Sequence, residues 1–195
     1  MSIKYGTGND PYCYNGTDVL INKLNIKNNS ILENAEAELS QLSLESIDFT
    51  PPPYNFLYLQ KIHKTLFGDL YDWAGSIRTI GMNKGDTMFC RPEYIQNETD
   101  KVFIKLAKNN YFLNIPHNSF INSIAELYGD LNIIHPFREG NGRSQRILFE
   151  HIIVNAGYKI SWMNVSKDEW IQANINSVGC DYELLENIFT RCISN

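Results

Sequence analysis

Apolar residues recur at helical spacing through most of the chain, and twice they run almost without a break. Ile121, Ile124, Ala125, Tyr128, Leu131 and Ile134 form one stripe, and Ile147 to Ala156 form a second run. Both predict buried helices. Upstream, Phe56, Leu57, Leu59, Ile62, Leu66 and Phe67 predict a helix that stops at Gly68. Ile31, Leu32, Ala35, Leu39 and Leu42 predict another, with Ser30 as its cap. It ends before Thr50-Pro51-Pro52-Pro53, where three prolines favour an extended connector. Val19, Leu20 and Leu24 also fall at helical spacing. Pro92 suits a first helical turn, with Ile95, Val102, Phe103 and Leu106 behind it. Ser119 is the expected cap of the stripe that starts at Ile121, and Gly157 the expected stop of the second run. Ser166 and Glu169 form a capping-box pattern ahead of Trp170, Ile171 and Ala173. Asp181 is placed to cap a last helix carrying Leu184, Leu185, Ile188 and Phe189.

One stretch breaks the helical period. Between Gly75 and Arg91, Ile77, Thr79, Met88 and Phe89 flank a glycine-bearing centre, Gly81 to Asp86. This predicts a short β-hairpin over about 76–91 with its turn at Asn83 to Gly85. The sum is an all-α helical bundle with one short hairpin. It is expected to form a single domain over 1–195, with an N-terminal helical part about 1–50 and a core about 54–195.

Composition narrows the class. Hydrophobic residues make up 43% of the 195, so the chain can bury a core. A net charge of −5 argues against general nucleic-acid binding, which needs a basic surface. No apolar run reaches the length of a membrane span, and no secretory pattern opens the chain. The expected compartment is the cytoplasm. Cys13, Cys90, Cys180 and Cys192 lack paired metal spacing and read as free thiols in a reducing cytosol. His63 reads as a structural histidine, His117 as a surface one, and His151 as too far along its helix for chemistry.

Candidate chemistry concentrates between the two apolar runs, in His135-Pro-Phe-Arg-Glu-Gly-Asn-Gly-Arg-Ser-Gln-Arg146. Gly140, Asn141 and Gly142 stand where a helix begins and let backbone approach a ligand closely. Open amides at a helix start bind anions. Arg143 and Arg146 lie three apart on one helical face, and both can fork onto phosphate oxygens. Glu139 is a hard oxygen ligand suited to magnesium carried by a nucleotide. His135 can take a proton near neutral pH. The stretch therefore reads as a polyphosphate cradle with a base and a metal ligand at its lip. A P-loop is excluded because no Gly-Lys-Ser/Thr follows, and one histidine is too few for a zinc hydrolase.

These residues resemble the signature of the Fic (filamentation induced by cAMP) family, His-Pro-Phe-x-(Asp or Glu)-Gly-Asn-Gly-Arg-x-x-Arg. All nine constrained positions of twelve are matched, far more than a lone glycine-rich loop supplies. Asp10-Pro11-Tyr12-x-Tyr14 and the run from Ile62 to Arg78 also resemble the family. The resemblance implies the Fic fold and a protein adenylyltransferase that moves AMP from ATP to a Ser, Thr or Tyr hydroxyl. In that reading His135 is the base and Glu139 holds Mg2+. Gly140, Asn141 and Gly142 bind phosphate oxygens, with Arg143 toward the β- and Arg146 toward the γ-phosphate; Phe137 anchors the loop. It also implies that the hairpin is a flap holding the target's main chain by strand pairing. Lys84-Gly85 matches a pair common in family flaps and joins the ATP-binding set; Lys84 also reads as a solvated turn lysine.

Many members are restrained by a helix bearing (Ser or Thr)-x-x-x-Glu-(Gly or Asn), whose glutamate pairs with the arginine equivalent to Arg146. That pattern is not found in this sequence; Glu186-Asn187 is preceded by Tyr182 instead. The resemblance therefore implies a toxin with a separate small antitoxin, and a type II topoisomerase ATPase subunit as a possible target. Transfer of phosphate, UMP or phosphocholine stays open, as does a catalytically silent binding module. The kinase-like Doc branch carries a lysine where Gly142 stands, and this chain departs from it.

Overall fold

The structure, a computed structural model, describes residues 10–163 and 165–194. Along them run α1 (Asn29–Leu44), α2 (Phe56–Phe67), the strands β1 (Asn83–Lys84) and β2 (Thr87–Met88), and α3 (Pro92–Lys108). Then follow α4 (His117–Ile134), α5 (Asn141–Asn155), β3 (Lys159–Ile160), α6 (Lys167–Ser177), α7 (Glu183–Cys192) and β4 (Ile193–Ser194).

Helix α4 is the central rod. Phe120, Ile121, Ile124, Ala125, Leu127, Tyr128, Leu131 and Ile134 are all buried on one broad face, while Asn122 on the other side is exposed. So wide an apolar face needs several partners, and α3, α5, α6 and α7 all pack against it. Gly129 is what lets the α6–α7 connection approach: a Cβ there would lie 2.6 Å from the Tyr182 ring. Helix α2 packs on α5, and α1 covers α2 as an outer layer. The expected all-α bundle with a short hairpin is what forms.

Local differences have physical causes. Val19, Leu20 and Leu24 form no helix: Leu20 makes an isolated antiparallel bridge to Cys13, with Val19 and Leu20 buried and Leu24 exposed. Within the described N-terminal part, helix is confined to α1. Its cap is Asn28, whose side chain accepts from the Ile31 N–H, and not Ser30. As an outer layer α1 needs only a narrow inward stripe, so Ile31 and Leu42 face solvent. Leu57 likewise leaves the α2 stripe and is exposed. Ser119 caps nothing; α4 starts two residues earlier, behind Pro116, with no side-chain cap. Ser166 caps α6 as expected, and Gly157, at φ +94°, follows the end of α5. Asp181 accepts from the Glu183 N–H, just ahead of α7.

The strands differ from expectation at the hairpin turn and add a second pair. The hairpin turn is Gly85-Asp86, so Asn83 lies in β1 opposite Met88. Gly85 has φ +57°, as the first position of a tight two-residue hairpin turn demands. A second pair, β3 with β4, ties the chain's last described residues to the segment after α5. Two-residue strands carry no readable alternation.

Candidate active site

The site is the corner between α4 and α5. Helix α4 stops because its C-cap, His135, turns left-handed at φ 50° and ψ 63°. A non-glycine residue there costs about 1–2 kcal/mol. The following loop offsets that cost. Phe137 is fully buried, stacked toward Phe56 and lying 3.9 Å from the His63 ring. Burying such a ring contributes about 1.5–3 kcal/mol. Asn141 closes the loop: its Oδ1 accepts from the Phe137 N–H at 2.8 Å and its Nδ2 donates to the Phe137 carbonyl at 2.7 Å. Both ends of its amide thus hold the loop, with Nδ2 using one of its two donors.

Gly140 caps α5 at φ +79°. A Cβ at this position would lie 2.3 Å from Phe67, so glycine is required for both conformation and space. No side chain caps α5. The amides of Asn141, Gly142 and Arg143 at its first turn are thus placed for an anion. Gly142 is exposed, with open space where a Cβ would stand.

The imidazole of His135 is half-buried and stacks on Phe89 of the hairpin at 3.9 Å and 13°. Its Nδ1 lies 3.3 Å from the Asn132 carbonyl, which can only accept. The proton therefore sits on Nδ1, and Nε2 carries the lone pair. Burial holds the ring's pKa down, to about 3; Arg78 and Lys84 push the same way, against the Asn132 hydrogen bond. The imidazole is neutral at physiological pH and fit to accept a proton. Lys84 itself is exposed on β1, and Gly85 sits at the hairpin tip. The charge of Lys84 acts on the His135 ring, but both residues lie outside the α4–α5 corner that gathers the other expected residues.

The two arginines differ. Arg143 donates to Glu36 and Ser40 of α1. Arg146 has its guanidinium 5.0 Å from the Trp170 ring and 5.8 Å from that of Trp162. Its Nε is buried and bonds no partner among the described residues. Glu139 is half-buried, and its Oε1 accepts from the Gly140 N–H at 3.0 Å.

The Fic/DOC family profile matches residues 53–153. The "probable protein adenylyltransferase Fic" of Escherichia coli (strain K12) is 37% identical over 194 residues, covering 100% of this chain and 97% of that protein. The BepC protein of Bartonella tribocorum, solved with bound AMPPNP, superposes with a TM-score of 0.86 at 25% identity, covering 94% and 96% of the two chains. The N-terminal Fic domain of a Bartonella quintana cell filamentation protein, solved with bound ADP, gives 0.85 at 28% identity and 94% of each chain.

The chain belongs to the Fic/DOC family.

Its likeness along the whole length to named protein adenylyltransferases places it in that class of enzyme. Three supports of its Fic motif escaped the sequence reading. Arg78 is fully buried and donates to the carbonyls of His135, Ile134, Ile80 and Cys90, so one guanidinium joins the hairpin to the end of α4. Backbone bonds reinforce this at both feet of the Fic flap: Arg78 N–H to Pro136 at 2.9 Å, and Cys90 N–H to Ile133 at 3.0 Å. Arg138, at the motif's variable position, is buried and forks onto Asp10 through Nε at 2.9 Å and Nη2 at 2.7 Å. Buried charge needs such a partner, but nothing in a variable position announces one.

His63 is structural, as expected, and it holds the motif. It accepts from the Gly75 N–H at 2.8 Å through Nδ1, so Nε2 is the protonated atom facing the Glu139 carbonyl at 2.8 Å. Burial lowers its pKa to about 4. Burial lowers His151 as well. Unfolded, these rings bind protons from about pH 6.5 downward. The unfolded state then holds more protons than the folded one, so stability falls as pH falls. It is complete above about pH 6.5 and is lost progressively toward pH 4, with His63 alone contributing about 3 kcal/mol. Denaturant melts at pH 7, 6 and 5 check this; equal midpoints across that window would contradict it.

Proposed function

We propose that this Fic enzyme moves AMP from ATP onto a Ser, Thr or Tyr hydroxyl of another protein. The observation that carries the reading is a neutral imidazole with its lone pair on Nε2, beside an uncapped helix start and two arginines. His135 takes the hydroxyl proton on Nε2 as the oxygen bonds to the α-phosphorus. The bond to the β-phosphate bridge breaks, and pyrophosphate leaves with that electron pair. The α5 amides hold phosphate oxygens, while Arg143 and Arg146 bind toward the β- and γ-phosphates. The nucleotides bound by the BepC protein and the Bartonella quintana Fic domain support ATP as the donor. Glu139 is the carboxylate that would hold Mg2+, and the ion would neutralise charge on the leaving phosphates. No group of three or more His, Cys, Asp or Glu gathers among the described residues, which fits an ion ligated chiefly by nucleotide and water.

The flap offers strand edges at β1 and β2, suited to an extended segment of the target. Lys84 and Gly85 stand at its tip, near the reacting groups. Restraint comes from a separate small antitoxin. Among the described residues no carboxylate pairs with Arg146, and a glutamate from such an antitoxin would suit it. The enzyme acts as a cytoplasmic toxin. No helix among the described residues is long and apolar enough to cross a membrane. The proposed target is a type II topoisomerase ATPase subunit.

Incubating a bacterial lysate with the enzyme and ATP labelled at the α- or γ-phosphate tests the chemistry. A protein band labelled from α alone is expected, and mass spectrometry of that band gives target and residue. Label from γ alone would mean phosphorylation, and label from neither would remove AMP transfer altogether.

A further inference from the structure

The inward stripe of α1 carries polar residues where apolar ones would pack best. Leu32 is buried, and Glu36 and Ser40 follow at one-turn steps, with Ser40 also buried. Glu36 Oε1 accepts from Arg143 Nη2 in a short contact, and Ser40 Oγ accepts from Arg143 Nη1 at 3.0 Å. The second Glu36 oxygen accepts from the Tyr71 hydroxyl at 2.5 Å. Tyr71 is buried and stacks on Trp73 at 4.4 Å. The Phe67 ring underlies the guanidinium, 4.6 Å from its carbon. Arg143 is thus gripped from α1, an element outside the 53–153 match to the family profile.

We propose that Glu36 is a positioning residue for nucleotide binding. Backed by Tyr71 and Ser40, it fixes the plane of the Arg143 guanidinium so that its remaining donors meet the middle phosphate of a nucleoside di- or triphosphate. A guanidinium has five N–H donors in a rigid fork, and two are named in the grip on α1. The Arg143 side chain keeps 37% exposure while that of Glu36 keeps 12%, so the arginine still opens to a ligand and the carboxylate does not. Charge-assisted contacts of this kind set orientation as well as energy. The polar stripe on α1 has this use to explain it; packing alone would favour leucine.

The inference rests on the nucleotide reading above, yet binding rather than AMP transfer tests it. Dissociation constants for ATP, ADP and AMP would be measured by calorimetry on the whole chain and its variants. Glu36→Ala is expected to weaken ATP and ADP by about tenfold, the scale of one misplaced charged contact, and to leave AMP within about twofold. Glu36→Gln, which keeps one acceptor, should lose less, and it serves if the alanine variant fails to fold. In an Arg143→Ala background the Glu36→Ala change should add nothing. Equal weakening of all three nucleotides, or further loss in that background, would reduce Glu36 to a role in folding and overturn the proposal. Tighter ATP binding in Glu36→Ala would make the contact a brake and overturn it equally. Should the wild-type chain bind ATP and ADP yet label no protein, the transfer reading would fall while the Glu36 result still stood.

Discussion

Replacing His135 by alanine lowers the rate of AMP transfer by about a hundred- to ten-thousand-fold, the range for losing one positioned acid–base group. ATP affinity stays close to wild type, because the imidazole faces the flap through Phe89 while the anion-binding amides belong to α5. The measurement is single-turnover transfer at saturating ATP, with nucleotide binding titrated separately. Transfer at the wild-type rate would remove His135 from the mechanism. Wild-type pH dependence supplies a second check. Burial, with Arg78 and Lys84 beside the ring, keeps the imidazole deprotonated to about pH 3. Activity should therefore not fall off near pH 6.5, where an ordinary histidine titrates. Any acid limb below that should follow loss of the fold, which the melts would reveal.

Gly140→Ala is expected to be the most damaging single methyl in the molecule. The added carbon would sit 2.3 Å from Phe67 Cε2 and 2.5 Å from its Cζ. Phe67 is buried and cannot swing away. Overpacking costs about 1–3 kcal/mol, and the left-handed φ of +79° adds about 1–2 kcal/mol for a residue bearing a Cβ. The loop relieves this by shifting, which moves the start of α5 and Arg143 together. Transfer should drop at least as far as in His135→Ala, and the melting temperature should fall too. Gly142→Ala is the control for stability, since nothing lies within 4 Å of its Cβ position. A Gly140→Ala variant with unchanged melting temperature would show that the ring yields after all.

The helices were legible because their cause is local. Period and length decide α2, α3, α4 and α5, and each formed near its expected place. The reading failed where the cause was distant. Val19 and Leu20 looked helical, but they are buried beside a bridge to Cys13 that no short window contains. The motif announced its own residues and not what supports them. Arg78 reads as one more polar residue before a hairpin, although it satisfies four carbonyls. Asp10 and Arg138 meet across 128 positions. Glu36 and Ser40 interrupt the stripe of Leu32 one turn apart, but nothing local says that they face Arg143, more than 100 positions on.

Four arginines gather at this corner, and carboxylates neutralise only some of them. Arg138 is matched by Asp10 and Arg143 by Glu36. The hydrogen-bond partners of Arg78 are carbonyls, and those facing Arg146 are indole rings. In a molecule of net charge −5, two guanidinium groups at this corner thus face no carboxylate among the described residues. A triphosphate is drawn toward that charge, so capture should slow as added salt shortens the reach of the field.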